Sequence, residues 1–459
     1  MKAKKKNKTK EVGGILDSKR PPSYISPIAL PVDFEESQEF RQCYEVVENT
    51  SKPLFVTGIA GSGKSTWLTY LRQNTRKRLV VLTPTGIAAV NVQGQTIHSF
   101  FKFPHTLIQK EDVRRLSTNG LLEKLDLLVI DEVSMVRPDL LDAIDYSLRL
   151  NRNCFNLPFG GVQVLLIGDL YQLPPVLDKD LAEHYSELYE TRYFFSARVF
   201  EEAKFYSFAL TKNFRQKDRI FMSLLNKLRD NSVSDADLQL LNTRVDPELA
   251  EVWKDSIRLV PTNAAADAVN HARLSKLPGA EFLYQASIKG EYDRRSYPAD
   301  EYLRLKVQAQ ILMIKNDPSG RWVNGSVGQI TDLSSDGIKV RIDHGEFDVH
   351  PVKWDKIAYR HDSSSGGITH DVIGTFEQFP VRLAWSLTIH KSQGLTLDKV
   401  IVDLDRGAFD HGQTYVALSR CRTLEGLLLK RPVRHSDVIF DQRIHRISGL
   451  FSPIEGKNS

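Results

Sequence analysis

A glycine-rich segment that begins at Gly58 has the residue types and spacing of a phosphate-binding loop. Residues 58–66 read GIAGSGKST and fit the pattern G-x-x-x-x-G-K-[ST] through Gly58, Gly63, Lys64 and Ser65. The glycines let the backbone bend so that successive N–H groups point at phosphate oxygens. The lysine can reach the β- and γ-phosphates, and the serine hydroxyl can ligate Mg²⁺. The segment therefore predicts a site for a nucleoside triphosphate and Mg²⁺.

The flanking residues place this loop between a strand and a helix. KPLFVT before it is a short apolar run with β-branched residues, and Trp67, Leu68 and Leu71 after it have helical spacing. This context argues against the alternative, a glycine-rich surface turn. We assign the nucleotide contacts to the whole loop. These residues are Gly58, Gly61, Ser62, Gly63, Lys64, Ser65 and Thr66.

An acidic pair further along the chain could complete a catalytic site. LLVIDE ends a buried strand with Asp131 and Glu132. Asp131 would hold Mg²⁺ from its second side, and Glu132 would orient and deprotonate the water that attacks the γ-phosphate. The alternative is an acidic turn or a helix cap at the strand end.

Three more polar side chains follow where they could reach the triphosphate. Gln172 in GDLYQLPPV carries an amide, which is donor and acceptor together and can sense the γ-phosphate. Arg215 in LTKNFRQ and Arg420 in YVALSRCR are candidate arginine fingers, which stabilise charge on the phosphoryl group in transfer. Taken alone, the glutamine would belong to a proline-terminated loop, and each arginine would form a surface salt bridge.

The elements that must position these residues are apolar strand-like runs that alternate with helical stretches. The runs are 79–83, 127–131, 162–169 and 206–210 in the first half, and 256–262, 381–388, 399–404 and 426–432 in the second. This alternation predicts two α/β units with parallel sheets. Between 285 and 375, short alternating runs separated by DPSG, SSDG and HDSSSGG predict a small antiparallel barrel inserted in the second unit.

Composition and charge limit the class of protein. With 459 residues, 41% hydrophobic and 26% charged, the chain can form two or three cores. It has no apolar run long enough to span a membrane, and its first ten residues lack the apolar part of a secretory signal. We therefore expect no membrane partner and a cytoplasmic protein if the source is bacterial or a phage, or a nuclear or mitochondrial one in a eukaryote.

Cysteines and net charge add little about partners. Three widely spaced cysteines predict reduced thiols rather than disulfides or a zinc site. The net charge of +5 is mild, but six lysines lie among the first ten residues. That segment is typical of a solvated extension, with a DNA tether or a targeting address as alternatives.

Together the motifs resemble the PIF-type helicases of superfamily 1, subgroup B. They follow the family order from about residue 35 to 435: GIAGSGKST, TPTGIAA, TIHSFF, VIDEVSM, GDLYQLPPV, LTKNFRQ, SLTIHKSQGLT and YVALSR. The stretch 139–163, which contains PFGG just before the next strand, looks like the segment that separates this type from RecD and Dda. RWVNGSVGQI at 321–330 is similar to the family's SH3-like insertion.

The resemblance implies two RecA-like P-loop domains, with a small SH3-like β-barrel inserted in the second. A wedge segment that parts the DNA strands is expected near 101–120. The predicted divisions are a basic tail and linker at 1–33, a first RecA-like domain at 34–210, a second at 211–284 and 376–445, the insertion at 285–375, and a C-terminal tail at 446–459.

Two segments of the first domain are candidate contacts for single-stranded DNA. Thr83, Pro84 and Thr85 lie where a strand ends and a helix begins, and free N–H groups there would suit a backbone phosphate. His98 and Phe100 belong to an aromatic group in TIHSFFKF that could stack on bases. The alternative is that most of these phenylalanines belong to the core.

Two further assignments follow from the resemblance. The loop that contains Thr388, His390 and Lys391 is implied to touch the nucleic acid on one side and the nucleotide site on the other. The family also has an N-terminal glutamine that reads adenine, and Gln38 and Gln42 are both candidates, since an amide can pair with both positions of an adenine edge.

The resemblance implies an ATP-dependent DNA helicase that moves 5′ to 3′ on single-stranded DNA and unwinds duplexes. DNA–RNA hybrids and quadruplexes are further candidate substrates. The implied cellular roles are replication, repair, recombination or telomere maintenance. Its partners would be single-stranded and forked DNA, and it would be a monomer in solution. The alternatives are a DNA-dependent ATPase that acts as a loading or switch factor, a RecD-like motor subunit, and a small-molecule kinase. The kinase does not explain Arg420 or TIHKSQG.

Overall fold

The structure is a computed structural model of the chain. It describes residues 30–31, 34–117, 120–177, 185–216, 218–343, 345–447 and 451–453. The lysine-rich N-terminal segment therefore lies outside the described residues. Within the part that is described, no helix combines the length and the apolar character needed to cross a bilayer.

The first sheet consists of seven parallel strands. These are β1 (Leu54–Gly58), β2 (Leu79–Thr83), β3 (Gln95–Thr96), β4 (Leu127–Ile130), β5 (Gln163–Gly168), β6 (Tyr206–Leu210) and β21 (Ser452–Pro453). Their order is β21-β6-β1-β5-β4-β2-β3. β4 and β5 are buried along their whole length, as expected for parallel strands covered on both faces.

Helices enclose this sheet in two cores. Alternate residues of β2 point to opposite faces, so Val80 and Leu82 enter one core while Val81 enters the other. The helices are α1 (Gln38–Asn49), α2 (Lys64–Asn74), α3 (Gly86–Asn91), α4 (Ile97–Phe101), α5 (Leu121–Lys124), α6 (Pro138–Arg152) and α7 (Arg198–Ala203).

The second sheet has four parallel strands and its own core. The strands are β7 (Ile257–Val260), β18 (Ser386–Thr388), β19 (Val400–Val402) and β20 (Leu427–Leu429), in the order β18-β7-β19-β20. The helices after the first sheet are α8 (Arg219–Arg229), α9 (Asp235–Asn242), α10 (Pro247–Val252), α11 (Asn263–Lys276), α12 (Gln413–Leu418) and α13 (Arg443–Arg446).

Antiparallel strands form the insertion between β7 and β18. They are β8 (Phe282–Gln285), β9 (Ser287–Gly290), β10 (Tyr302–Leu305), β11 (Gln310–Met313), β12 (Val327–Leu333), β13 (Ile338–Ile342), β14 (Gly345–Val349), β15 (Val352–Asp362), β16 (Gly367–Gln378) and β17 (Val381–Leu383). They pair as β14-β13-β12-β11-β17, β15-β16-β9 and β10-β8. The predicted fold class, two parallel α/β units with an antiparallel insertion in the second, is confirmed.

The run 381–388, predicted as one strand of the second unit, is two strands in different sheets. β17 pairs with β11 of the insertion, whereas β18 pairs with β7 of the parallel sheet. Ala384 between them is fully buried, so hydropathy does not mark the point where the chain changes sheets. Antiparallel pairing thus extends beyond 285–375, from β8 to β17, and the division into domains stays a prediction.

A long hairpin of β15 and β16 reaches from the insertion to the first unit. Tyr359 on β15 packs against the first core, with its ring 6.2 Å from that of Phe100. Its hydroxyl accepts a hydrogen bond from the N–H of Val81 at 3.3 Å. The turn HDSSSGG was predicted, but the two long strands beside it were not, because many of their residues are partly exposed and neither strand is a compact apolar run.

The C-terminal segment returns to the first sheet. Phe451 stacks on Phe55 with ring centroids 5.0 Å apart, and β21 pairs with β6. Ile444 is buried in the same core. Within the predicted tail at 446–459, Phe451 thus packs on the first unit and 452–453 pair with its sheet, while the division itself stays a prediction.

The predicted wedge segment, 101–120, is partly built into the first core. It contains the short helical turn Lys110–Asp112 and buries Ile108 and Val113. Residues 118–119 lie outside the described residues, and the role of the segment as a wedge stays a prediction.

Candidate active site

The phosphate loop joins β1 to α2 and leaves no space for side chains at its glycines. Gly61 and Gly63 have φ angles of 86° and 82°, which side chains disfavour. A Cβ on Gly58 would lie 2.6 Å from the carbonyl oxygen of Leu210, and one on Gly61 would lie 2.5 Å from Cβ of Arg215. The backbone of this loop can therefore approach a ligand closely, as a phosphate cradle requires.

Polar groups of the loop are available to an anion. The Lys64 ammonium donates to the carbonyl oxygens of Gly58 and Ile59, at 2.7 and 3.2 Å. The hydroxyl of Ser62 is buried and has no hydrogen-bond partner among the described residues. Ser65 is exposed in the first turn of α2, where backbone N–H groups are free. All of these groups are hydrogen-bond donors, which suits them to bind phosphate oxygens.

The acidic pair lies at the end of β4 in an unusual backbone conformation. Glu132 has φ 54° and ψ 42°, a left-handed region that non-glycine residues seldom adopt and that is typical of functional sites. Its N–H donates to Asp131 Oδ1 at 2.9 Å. Burial, together with the charge of Glu132, raises the pKa of Asp131 to about 7. Burial also raises the pKa of Glu132, against the charges of Lys64 and Arg420, so Glu132 faces those cations.

Both predicted arginines are held by groups of the second unit. Arg420 is 1% exposed, and its Nε and Nη2 donate to the Val416 carbonyl at 2.9 Å and the Ser419 hydroxyl at 2.8 Å. Arg215 donates to the carbonyl oxygens of Ser419 at 3.3 Å and Gly394 at 3.4 Å. Burial, and then the charge of Arg215, lowers the pKa of Arg420 to about 9. The two guanidinium groups therefore lie close together at one cleft.

The cleft concentrates buried positive charge. Burial lowers the pKa of Lys64, of Arg215 and of Arg420, and the charge of Glu132 opposes that change at all three. Side chains from the phosphate loop, β4 and the second unit thus share one site. Cations that are held by neutral groups at low dielectric interact strongly with a polyanion. The site fits a nucleoside triphosphate.

The amide of Gln172, the predicted γ-phosphate sensor, is hydrogen-bonded to a carboxylate in this structure. Gln172 is buried, and its Nε2 donates to Asp169 Oδ2 at 3.4 Å. Its role at the γ-phosphate stays a prediction. Asp169 directly follows β5 in the string GDLYQ, and sequence reasoning assigned it no role.

An aromatic face beside the phosphate loop was also missed. Phe214 is 50% exposed, and a Cβ on Gly63 would lie 3.3 Å from its ring. The Phe40 ring of α1 lies 6.4 Å away. Gln38 and Gln42 are both exposed on α1, so the structure does not separate these two candidates for adenine. The sequence feature that could have identified Phe214 is its position in LTKNFRQ, next to the predicted site residue Arg215.

Two of the predicted DNA contacts in the first unit are buried in this structure. Thr83 is fully buried, and its hydroxyl donates to the Thr85 carbonyl at 2.8 Å, because it ends a strand inside the sheet. Phe100 is 7% exposed and packs in the first core, and the DNA contacts of both residues stay predictions. Thr85 caps α3 by accepting from Ala88 N–H at 3.3 Å, and Pro84 beside it is partly buried.

The insertion covers the start of α3, next to Thr85. A Cβ on Gly86 would lie 2.6 Å from Cα of Ser296, and Val90 packs on the insertion's core beside Trp354. The insertion therefore packs directly on α3, next to the predicted DNA contact at Thr85.

The loop after β18 connects the nucleotide cleft to the surface. Thr388 is buried, and its hydroxyl accepts from Lys391 N–H at 3.1 Å, so it shapes the loop from inside. His390 is partly buried and Lys391 is exposed. The carbonyl of Ser392 accepts from Arg420 Nη1 at 3.4 Å. The DNA contacts of Thr388, His390 and Lys391 stay predictions.

Acidification is expected to destabilise the first unit through His98. Its ring stacks on that of His105 with centroids 4.5 Å apart, and burial, then the charge of His105, lowers the pKa of His98 from 6.5 to about 4. The unfolded chain binds more protons between these values, so the free energy of unfolding falls as the pH drops from 6.5 towards 4. We expect wild type to lose about 2 kcal/mol more than His98→Gln between pH 7 and 5. Urea titrations measure this, and equal losses would contradict it.

Known proteins of similar sequence fall in one family. The family model described as PIF1-like helicase matches residues 33–239. The ATP-dependent DNA helicase Pif1 of Bdellovibrio bacteriovorus is 33% identical over 414 residues, covering 87% of this chain and 89% of that protein. The ATP-dependent DNA helicase PIF1 of Emericella nidulans is 30% identical over 476 residues, and the chain spans 61% of that longer relative.

Solved structures of a bacterial Pif1 have the same fold. Unliganded Pif1 from Bacteroides is 37% identical, with a TM-score of 0.83 over 91% of this chain and 97% of that one. Bacteroides Pif1 bound to single-stranded DNA has the same identity and coverage of 91% and 98%, but a TM-score of 0.66. The overall arrangement is thus closer to the unliganded structure. The resemblance found in the motifs is confirmed, and the chain belongs to the PIF1-like helicase family.

Proposed function

We propose that this protein is an ATP-dependent DNA helicase that moves 5′ to 3′ on single-stranded DNA and unwinds duplex DNA ahead of it. The observation that carries the proposal is the contact between the phosphate loop and the second unit. A Cβ on Gly61 would lie 2.5 Å from Cβ of Arg215, which donates to Ser419 and Gly394. The Tyr415 hydroxyl accepts from the N–H of Ala60. A nucleotide bound there contacts both units, so its hydrolysis changes how they are held together. The named activities of the relatives support the substrate, and the family resemblance supports the direction.

The chain's own residues divide the chemistry among themselves. Lys64 binds the β- and γ-phosphates, and Glu132 accepts the proton of the attacking water. Ser65 and Asp131 would hold Mg²⁺, since hydroxyl and carboxylate oxygens are its preferred ligands, and the ion would neutralise developing phosphate charge. Arg215 and Arg420 exchange the carbonyls that now hold them for phosphate oxygens.

That exchange provides a route from the nucleotide to the DNA. Arg420 donates to Ser392 and Arg215 donates to Gly394, and both acceptors lie in the loop that carries His390 and Lys391. When the arginines turn to phosphate, the loop loses those bonds and its hold on a DNA strand changes. Alternating grip by the two units then converts each cycle into a step.

The proposed DNA partners are single-stranded and forked DNA, bound by a protein that is a monomer in solution. A Bacteroides Pif1 structure contains single-stranded DNA, and the present arrangement matches the unliganded form of that protein better. Because the insertion covers the start of α3 at Gly86, DNA binding in this proposal includes displacement of the insertion.

Phe214 is proposed to stack on the adenine of ATP. Its exposed ring lies beside Gly63, so a base next to the phosphate loop can meet its face. Stacking on an aromatic side chain contributes about 1–3 kcal/mol, so Phe214→Ala is expected to raise the Kd for ATP about tenfold. Phe155→Ala is the matched control, since Phe155 is similarly exposed, at 53%, and belongs to no assigned site. Equal ATP affinity in both variants would contradict the assignment.

The proposed function is tested by ATP turnover with and without single-stranded DNA. A translocase must couple hydrolysis to its track, so turnover should rise by at least tenfold when DNA is added. The Lys64→Ala variant should show no turnover in either condition. A wild-type rate that does not respond to DNA would refute the proposal.

A further inference from the structure

One buried carboxylate, outside the predicted catalytic set, is surrounded by groups from both α/β units. Asp169 is 1% exposed and lies just after β5. Its Oδ2 is 3.4 Å from the Gln172 amide and 3.4 Å from the Tyr415 hydroxyl, and its Oδ1 is 3.4 Å from Nη2 of Arg229. We call these four residues the Asp169 cluster. Asp169 and Gln172 belong to the first unit, whereas Tyr415 and Arg229 belong to the second.

Tyr415 also holds the phosphate loop directly. Its hydroxyl accepts a hydrogen bond from the N–H of Ala60 at 3.1 Å, while it donates to Asp169. A phenol can accept and donate at the same time, and burial raises the pKa of Tyr415, so the hydroxyl keeps its proton. Tyr415 lies on α12, the helix that leads into Arg420. One short segment of the second unit therefore contacts the phosphate loop through Tyr415 and also carries Arg420.

Arg229 grips the same segment of the first unit from a second helix. It ends α8, and its guanidinium carbon lies 3.9 Å from the centre of the Tyr171 ring while Nη2 faces Asp169. A cation over an aromatic face is favourable, more so when both are shielded from water. The segment 169–172, which carries the predicted γ-phosphate sensor, is thus fixed between α8 and α12.

We propose that Tyr415 and Arg229 are positioning residues that couple the ATP site to movement of the second unit. Through Asp169 they fix Gln172 relative to the phosphate loop, so the sensor and the loop are held in register only when the second unit is seated. The inference rests on the proposed function, because it assigns the parts that make ATP turnover respond to DNA. The proposal leaves the hydrolysis step, and the residues assigned to it, unchanged.

Tyr415→Phe tests this with the smallest change. The ring and its packing remain, but Ala60 N–H and Asp169 each lose a buried partner. We expect the stimulation factor, the ratio of ATP turnover with DNA to that without, to fall about tenfold. Tyr193→Phe is the matched control, because the Tyr193 hydroxyl is equally buried but has no hydrogen-bond partner among the described residues. It should leave the stimulation factor within twofold of wild type.

Arg229→Gln provides the second variant, since it removes the charge at Asp169 from a different helix. It should lower the stimulation factor in the same direction, and the two changes combined should lower it by less than the product of their separate effects, because they act on one carboxylate. If Tyr415→Phe does not fold, Arg229→Gln alone decides the result. Full stimulation in a folded variant, an equal fall in Tyr193→Phe, or independent effects would overturn the inference. A wild type without stimulation would instead refute the proposed function as well.

Discussion

Glu132→Gln is expected to lower ATP turnover by about 10²–10⁴-fold while ATP affinity stays within threefold of wild type. The amide keeps the size of the side chain but cannot accept the proton of the attacking water. Glu132 lies where Lys64 and Arg420 act on its carboxylate, in a left-handed backbone conformation that fixes its direction. ATP binding depends instead on the phosphate loop, so binding and hydrolysis should separate in this variant.

The matched control is Glu123→Gln, an exposed glutamate on α5 outside the cleft. It should leave turnover and unwinding unchanged. ATP affinity is measured with a fluorescent nucleotide, and turnover by phosphate release in the presence of single-stranded DNA. Turnover near the wild-type rate in Glu132→Gln would remove Glu132 from the role of general base.

Arg420→Ala is expected to lower DNA-stimulated turnover by about 10³–10⁵-fold. Its guanidinium is 1% exposed and is held by Val416, Ser392 and Ser419. Burial and Arg215 lower its pKa to about 9, so it still carries its charge at neutral pH. Lysine keeps the positive charge but lacks the planar guanidinium. Arg420→Lys should therefore recover only part of the lost turnover. Arg215→Ala should have an effect of the same kind.

Arg422→Ala is the control for this series, since Arg422 lies two residues on but is exposed and pairs with Asp398. Because Arg420 is buried, thermal unfolding of each variant must accompany the kinetics. A folded Arg420→Ala protein with turnover within tenfold of wild type would show that the second unit does not supply the charge. In that case the cleft would bind ATP, but contact with the second unit would have no catalytic role.

The side chains that the structure brings to the cleft were predictable from sequence because they are tied to local patterns. Lys64 and Ser65 follow a glycine pattern, and Glu132 ends an apolar strand, so strand-end geometry brings them to one edge of a parallel sheet. Arg215 and Arg420 were identified by the motifs around them. Most parallel strands were predicted within two residues at each end, because they are short apolar runs. The exceptions are β18, whose predicted run began too early at 381, β20, whose predicted run continued too far to 432, and the two-residue strands β3 and β21, which were not predicted.

Features that depend on long-range contact were not predictable in the same way. Local sequence patterns do not indicate that Tyr415 contacts Ala60 or that Phe451 packs on Phe55, because the two partners of each pair lie hundreds of residues apart. Phe100 illustrates the limit for aromatic residues. Its spacing suits both a stacking surface and a core, and only its burial among distant residues of the first core, with Tyr359 of the long hairpin beside it, places it in the core.

Strand displacement on tailed duplexes tests the central claim most directly, that ATP turnover in this cleft drives movement along one strand. With ATP and Mg²⁺, wild type should release the strand from a 5′-tailed duplex, act at least tenfold more slowly on 3′-tailed and blunt duplexes, and lose the activity in Glu132→Gln. DNA-stimulated turnover without displacement of any of the three substrates would contradict a helicase and indicate an ATPase that only grips DNA.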